Sequence, residues 1–132
     1  MLRVKTYLAT SSIPGAGLGL FAAEDIPAGT VIWRFDEGWD LLRREADWPD
    51  DVPKAFLKTY AYLAHGTKKP LYVVCIDNAR FINHSARPTG TGGPSPITIA
   101  ARDIRAGEEI TEDYRTFDAE ANLAEMPFLE EV

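Results

Sequence analysis

The chain has 132 residues, enough for one domain with a real core, and at 45% apolar and 26% charged its composition is globular rather than disordered. A net charge of −6 argues against a nucleic-acid partner, which would need clustered Lys and Arg, and suits a basic protein segment instead. No run approaches a membrane span, the start lacks a signal peptide's apolar segment, and a single cysteine excludes an internal disulfide, so a cytoplasmic protein that binds no membrane is expected.

In chain order, residues 3 to 8 alternate polar with apolar, the pattern of a half-buried strand. A Gly-rich loop follows, Gly15-Ala16-Gly17-Leu18-Gly19, whose glycines permit positive φ and close backbone approach. It is not a dinucleotide fingerprint, since no long helical pattern comes after it. Asp25-Ile26-Pro27-Ala28-Gly29 is echoed by Asp103-Ile104-Arg105-Ala106-Gly107, two matching turns that each feed a strand. Residues 31 to 35 are the next predicted strand. Asp51 to Gly66 carries the best helical pattern, with Asp51 as cap, Pro53 in the first turn and Gly66 as stop. Its apolar stripe at 52, 56, 60 and 63 is expected to face the core. Leu71 to Ile76 is a buried strand containing Cys75, which is most simply a small hydrophobe. Strands over 97–101 and 109–114 and a short C-terminal helix over 118–125 complete the prediction.

The chemistry-bearing stretch is Arg80-Phe81-Ile82-Asn83-His84-Ser85, between the buried strand and a loop rich in Pro and Gly. An amide, an imidazole and a hydroxyl at a strand end can bind a polar ligand, although Asn-His-Ser alone also fits an ordinary Asx or Ser turn. With Pro88 three places on, the stretch resembles the "R-F-I-N-H-S-C-x-P-N" signature of SET-domain protein lysine methyltransferases. Gly107-Glu108-Glu109-Ile110-Thr111-Glu112-Asp113-Tyr114 is similar to that family's "G-E-E-L-T-Y-D-Y", and Gly15 to Ala22 to its Gly-rich opening. The three motifs stand in the family's order and span most of the chain.

The resemblance implies a mainly β (α+β) SET-domain β-clip of several short sheets, one central helix and a short C-terminal helix, as a single domain over residues 1–132. It implies transfer of a methyl group from S-adenosylmethionine to a lysine side-chain amine, leaving S-adenosylhomocysteine. Position by position, Gly17, Leu18 and Gly19 would contact the methionine part of the cofactor. Asn83 would bind its amino group and the Asn83-His84 backbone its adenine, with Arg80 and Phe81 shaping the pocket floor. For His84 a purely structural imidazole is an equal expectation. Tyr114 would be the catalytic residue, and Phe35 roughly matches a channel aromatic. The partner implied is a lysine-bearing, basic protein.

Such a transfer is an in-line displacement that needs no metal. Two histidines, His65 and His84, and one cysteine cannot make a conventional zinc site, so the zinc clusters that often flank the domain are missing here. Three further departures bear on function. Ala86 replaces the cysteine after Asn-His-Ser, Thr89 stands where asparagine follows the proline, and Glu112 occupies an aromatic's place. If residues 110, 112 and 114 share a strand face, Glu112 lies beside the lysine channel and attracts the ammonium. With no cysteine-rich tail, Phe117, Phe128 or a second subunit in a homodimer must close that channel. Two other classes stay open. One is a non-catalytic SET-like module that binds a peptide or the cofactor. The other is a β-clip of the sugar-acid or antifreeze type, which has no use for Asn83-His84-Ser85 with Asp113-Tyr114.

Overall fold

Among the described residues, ten short strands form three sheets, with one apolar core cluster built mainly on the first two. This computed structural model describes residues 1–64, 71–92 and 96–117. The first sheet has the order β1-β2-β10-β7, from Thr6–Thr10, Leu18–Ala22, Glu109–Glu112 and Asn83–His84. β1 and β2 are antiparallel, with Thr6 opposite Ala22 and Thr10 opposite Leu18, so the Gly-rich segment is the turn that joins them. β10 pairs antiparallel with β2 and parallel with β7, placing Thr111 opposite Asn83 and Glu112 opposite His84. Three motifs that are far apart in sequence thus become adjacent strands. A second sheet runs β3-β9-β8, from Val31–Arg34, Ile97–Ala100 and Gly90–Thr91. The third runs β4-β6-β5, from Leu41–Arg43, Tyr72–Val74 and Ala61–Leu63.

The two echoing turns bind each other. Ile26 and Ile104 exchange backbone hydrogen bonds of 2.7 and 2.8 Å. Asp103 Oδ1 accepts from the Ala28 N–H at 2.8 Å and Asp25 Oδ1 from the Ala106 N–H at 2.9 Å. Gly29 and Gly107 hold φ of 83° and 90°, the left-handed region in which a Cβ is costly. The repeat is therefore a reciprocal clasp, and both isoleucines are buried at its centre.

Leu20, Ala22, Ile32, Ile110, Ile82 and Cys75 join these isoleucines in the core. Full burial of each large aliphatic side chain stabilises the fold by about 1.5–3 kcal/mol. Burial pushes the Cys75 thiol up to about 12, so it is inert packing, as its apolar neighbours in sequence suggest.

The expected central helix is present but shorter than its pattern suggests. Only Ala55–Tyr60 is helical (α1), the N-cap position is Lys54 rather than Asp51, and no side chain caps it. Ala61–Leu63 instead forms β5 along β6, Ala61 opposite Val74 and Leu63 opposite Tyr72. An available strand edge outcompetes a helix that is too short and uncapped to be stable alone. The stripe at 52, 56, 60 and 63 does not face the core as expected, because Val52 and Phe56 are exposed and Leu57 is the buried residue. His65, Gly66, the predicted helix over 118–125 and the channel candidate Phe128 lie outside the described residues. Among the described residues no helix is long and apolar enough to cross a membrane.

Candidate active site

Asp77 starts the site by capping a 3-10 turn over Asn78–Phe81, its Oδ1 accepting from the Ala79 N–H at 3.1 Å. The turn swings Arg80 and Phe81 towards α1. The Arg80 guanidinium lies 4.9 Å from the Phe81 ring centre and 5.9 Å from that of Tyr60, while Phe81 meets Tyr60 edge-on at 5.5 Å. Immediately afterwards the chain enters β7, and Asn83 comes under the glycine loop.

Asn83 Nδ2 donates to the Leu18 carbonyl at 2.9 Å and to Glu109 Oε1 at 3.2 Å. Glu109 also accepts from the Ser11 hydroxyl (2.7 Å), the Ser12 N–H (3.0 Å) and the Ser12 hydroxyl (2.6 Å). Burial works to raise the Glu109 carboxyl, but these donors outweigh it and hold the group below the usual carboxylate range. Gly19 leaves room for that arrangement, since a Cβ there would stand 2.2 Å from Glu109 Oε1. Gly17 takes φ of 75°, turning the loop as it enters β2.

His84 is 1% exposed, and its Nδ1 accepts from the Tyr114 N–H at 3.1 Å. Burial pushes its pKa down, against the pull of Asp113, whose Oδ1 is 3.6 Å away. An Nδ1 that accepts a backbone N–H carries no proton, and Asp113 is already paired with Arg115 at 2.6 Å, so the imidazole is neutral. The proton then sits on Nε2, which has no partner among the described residues.

Tyr114 bridges this segment from the other side. Its N–H goes to His84, its hydroxyl donates to the Ile82 carbonyl, and its ring lies 5.6 Å from the imidazole centre. Phe117 packs edge-on against Tyr114 at 5.5 Å and against Tyr62 at 5.0 Å. The structure thus brings together Gly17, Leu18, Gly19, Asn83, His84, Tyr114 and Phe117. It leaves Arg80 and Phe81 on Tyr60, and Phe35 against Trp33 at 6.4 Å.

Glu112 does not share a face with Tyr114. β10 stops at Glu112, Asp113 accepts from the Arg115 N–H at 3.1 Å, and Tyr114 belongs to the 3-10 turn that follows. The Glu112 side chain turns to accept from the Thr98 hydroxyl, lining a cavity of about 130 Å³ with Pro88, Gly90 and Thr116. Burial pushes its carboxyl up, only partly offset by Thr98. A folded value above the unfolded one, about 4.3, favours the protonated form, so this contribution is complete below that pH and is lost as pH rises through the folded value. We therefore expect Glu112→Gln to be more stable than wild type at neutral pH, the difference shrinking to nothing in acid. Melting temperatures of both proteins across pH test this, and a gap that is constant with pH or reversed in sign would refute it.

Sequence reasoning missed Glu109, Ser11, Ser12 and Tyr62. Glu109 stands among Glu108 and Glu112 with no local pattern to single it out, and its Ser11-Ser12 partners lie about a hundred residues away, whereas Tyr62 was hidden by the helical pattern. Thr89, a departure from the signature, is structural. Its hydroxyl accepts from the Thr111 N–H at 3.0 Å and donates to the Glu109 carbonyl at 3.2 Å. Among the described residues no three His, Cys, Asp or Glu side chains group as metal ligands.

A mainly β chain with a glycine loop, an Asn-His pair and a tyrosine closing over them defines a SET-type domain. The SET domain family model matches residues 17–115, and the chain belongs to that family. Its fold is also that of a Plasmodium falciparum candidate histone methyltransferase, at 22% identity and a TM-score of 0.58 over 86% of this chain and 95% of that one. Chaetomium thermophilum polycomb repressive complex 2 gives a TM-score of 0.64 at 24% identity over 91% of this chain. A structure of ctPRC2 bound to S-adenosylmethionine gives 0.64 at 21% over 97%. This chain spans 16% and 17% of those two larger chains. No curated protein matches it significantly.

Proposed function

We propose that the protein is an S-adenosylmethionine-dependent methyltransferase acting on a lysine side-chain amine of a basic protein. The observation that carries this is Tyr114, tied to Ile82 through its hydroxyl and to His84 through its N–H, on either side of Asn83. Any amine held by that hydroxyl is therefore close to whatever Asn83 holds.

The residues present fit the cofactor's donors and acceptors. Asn83 offers a carbonyl oxygen to the ammonium, the Gly17 to Gly19 backbone can lie close to the amino-acid part, and the Asn83-His84 backbone serves the adenine. When bound, the cofactor supplies an electrophilic methyl group on a sulfonium. The chain's own contribution is placement and deprotonation. The Tyr114 hydroxyl proton is committed to Ile82, so towards the amine the oxygen acts as an acceptor and orients it. A lysine of pKa near 10.4 costs about 4 kcal/mol to deprotonate at neutral pH. Tyr62, Tyr114 and Phe117 lower that cost by desolvating the ammonium, whose proton leaves to water. The chain's net charge of −6 favours approach of a basic segment. Closure of the amine side falls to Phe117, aided by a second copy of the chain.

The test is calorimetry with S-adenosylmethionine, then incubation of cell lysate with the methyl-labelled cofactor and analysis for methyl-lysine. Asn83→Ala should weaken binding by more than about tenfold by removing polar contacts. Binding without label transfer would favour the non-catalytic module, and no binding would reject the proposal.

A further inference from the structure

The Asn83 amide has a fixed direction. Both groups that face its Nδ2 are acceptors, the Leu18 carbonyl and the Glu109 carboxylate, and a flipped amide would set its oxygen against two oxygens. Both amino hydrogens are therefore spoken for inside the protein. The Asn83 oxygen, which bonds to nothing among the described residues, is left to face outward as a pure acceptor. Glu109 can impose this only as an anion at one fixed place. That condition is met by three donors from Ser11 and Ser12 and by the missing side chain at Gly19.

We propose that Glu109 is a positioning residue that sets the Asn83 amide oxygen outward, so that the site selects the positively charged ammonium of its cofactor. The proposal rests on the cofactor reading above, in which Asn83 meets the ammonium, and adds the residue that enforces that contact. A site that needed only the nucleoside would have no use for a buried anion behind an asparagine. In Glu109→Gln the fixed Ser12 N–H keeps the new amide's oxygen, and its amino group turns to Asn83 Nδ2, donor against donor. Asn83 then loses its lock while the side chain's size is conserved.

The experiment compares two probes by calorimetry, S-adenosylhomocysteine and its analogue lacking only the α-amino group. For Glu109→Gln we expect the first to weaken by about tenfold or more and the second by less than about twofold. Asn83→Ala should show the same split. Equal weakening of both probes would make Glu109 a mere support of the glycine loop and overturn the proposal, as would no weakening. Wild type that binds both probes equally keeps the cofactor reading and rejects ammonium selection. Wild type that binds neither removes both. Hydrogen exchange of the Asn83 side-chain amide in the wild-type protein serves where the variant does not fold. It should be slower than that of exposed Asn78, and equal rates would overturn the lock.

Discussion

Tyr114→Phe should lose turnover by about 10²-fold or more while binding S-adenosylhomocysteine nearly as well as wild type. The substitution removes one oxygen and keeps the ring that packs on His84 and Phe117. The backbone N–H that meets His84 Nδ1 is untouched, so His84 and Asn83 should hold their places. What disappears is the acceptor that aims the amine, and aim matters most in the transition state. The lost bond to the Ile82 carbonyl should lower stability by only about 1 kcal/mol. Single-turnover rates and calorimetry separate the two effects. A fully active Tyr114→Phe protein would remove Tyr114 from the chemistry, and an inactive one that no longer binds the product would make its role structural.

The parts of this arrangement that were legible in the sequence are those that depend on short, local chemistry. Asn83-His84-Ser85 and Asp113-Tyr114 were found because each motif carries its own residues, and the twin Asp-Ile-x-Ala-Gly turns because a repeat is visible without coordinates. What they do to one another was not legible. That Asp25 serves the Ala106 N–H and Asp103 the Ala28 N–H is a long-range exchange no local pattern encodes.

Two expectations failed for a shared reason. Asp51 to Gly66 has helical spacing, yet β6 recruits Ala61–Leu63 as a strand and leaves α1 with six residues. Residues 109 to 114 were expected to run as one strand, yet Asp113 caps a new turn and rotates Tyr114 away from Glu112. In each case a tertiary or capping partner ended an element before its expected end. The second failure is informative for function. It frees Tyr114 to reach back to Ile82, which an extended strand through residue 114 would not allow.

Gly19→Ala should damage both stability and binding, although Gly19 needs no unusual backbone angle. Its added Cβ would stand 2.2 Å from Glu109 Oε1, 2.9 Å from the Glu109 carboxyl carbon and 3.3 Å from Asn83 Nδ2. A flexible side-chain end could ordinarily step aside. The Glu109 carboxylate cannot do so cheaply, because Ser11, Ser12 and Asn83 hold it on both oxygens in a buried place. Displacing it strands several buried polar groups together, and about 2–4 kcal/mol of stability should be lost. Release of Asn83 should weaken S-adenosylhomocysteine by more than about tenfold. Gly29→Ala is the contrast. Its φ of 83° is strained for alanine, but nothing lies within 4 Å of the new Cβ. That variant should lose about 1–2 kcal/mol from backbone strain and keep its affinity. Chemical denaturation and calorimetry on the two variants decide the matter. If Gly19→Ala is as stable as wild type and binds equally well, the Glu109 carboxylate is not held in place. If Gly29→Ala loses affinity as well, binding follows stability in general and owes nothing to the contact between Gly19 and Glu109.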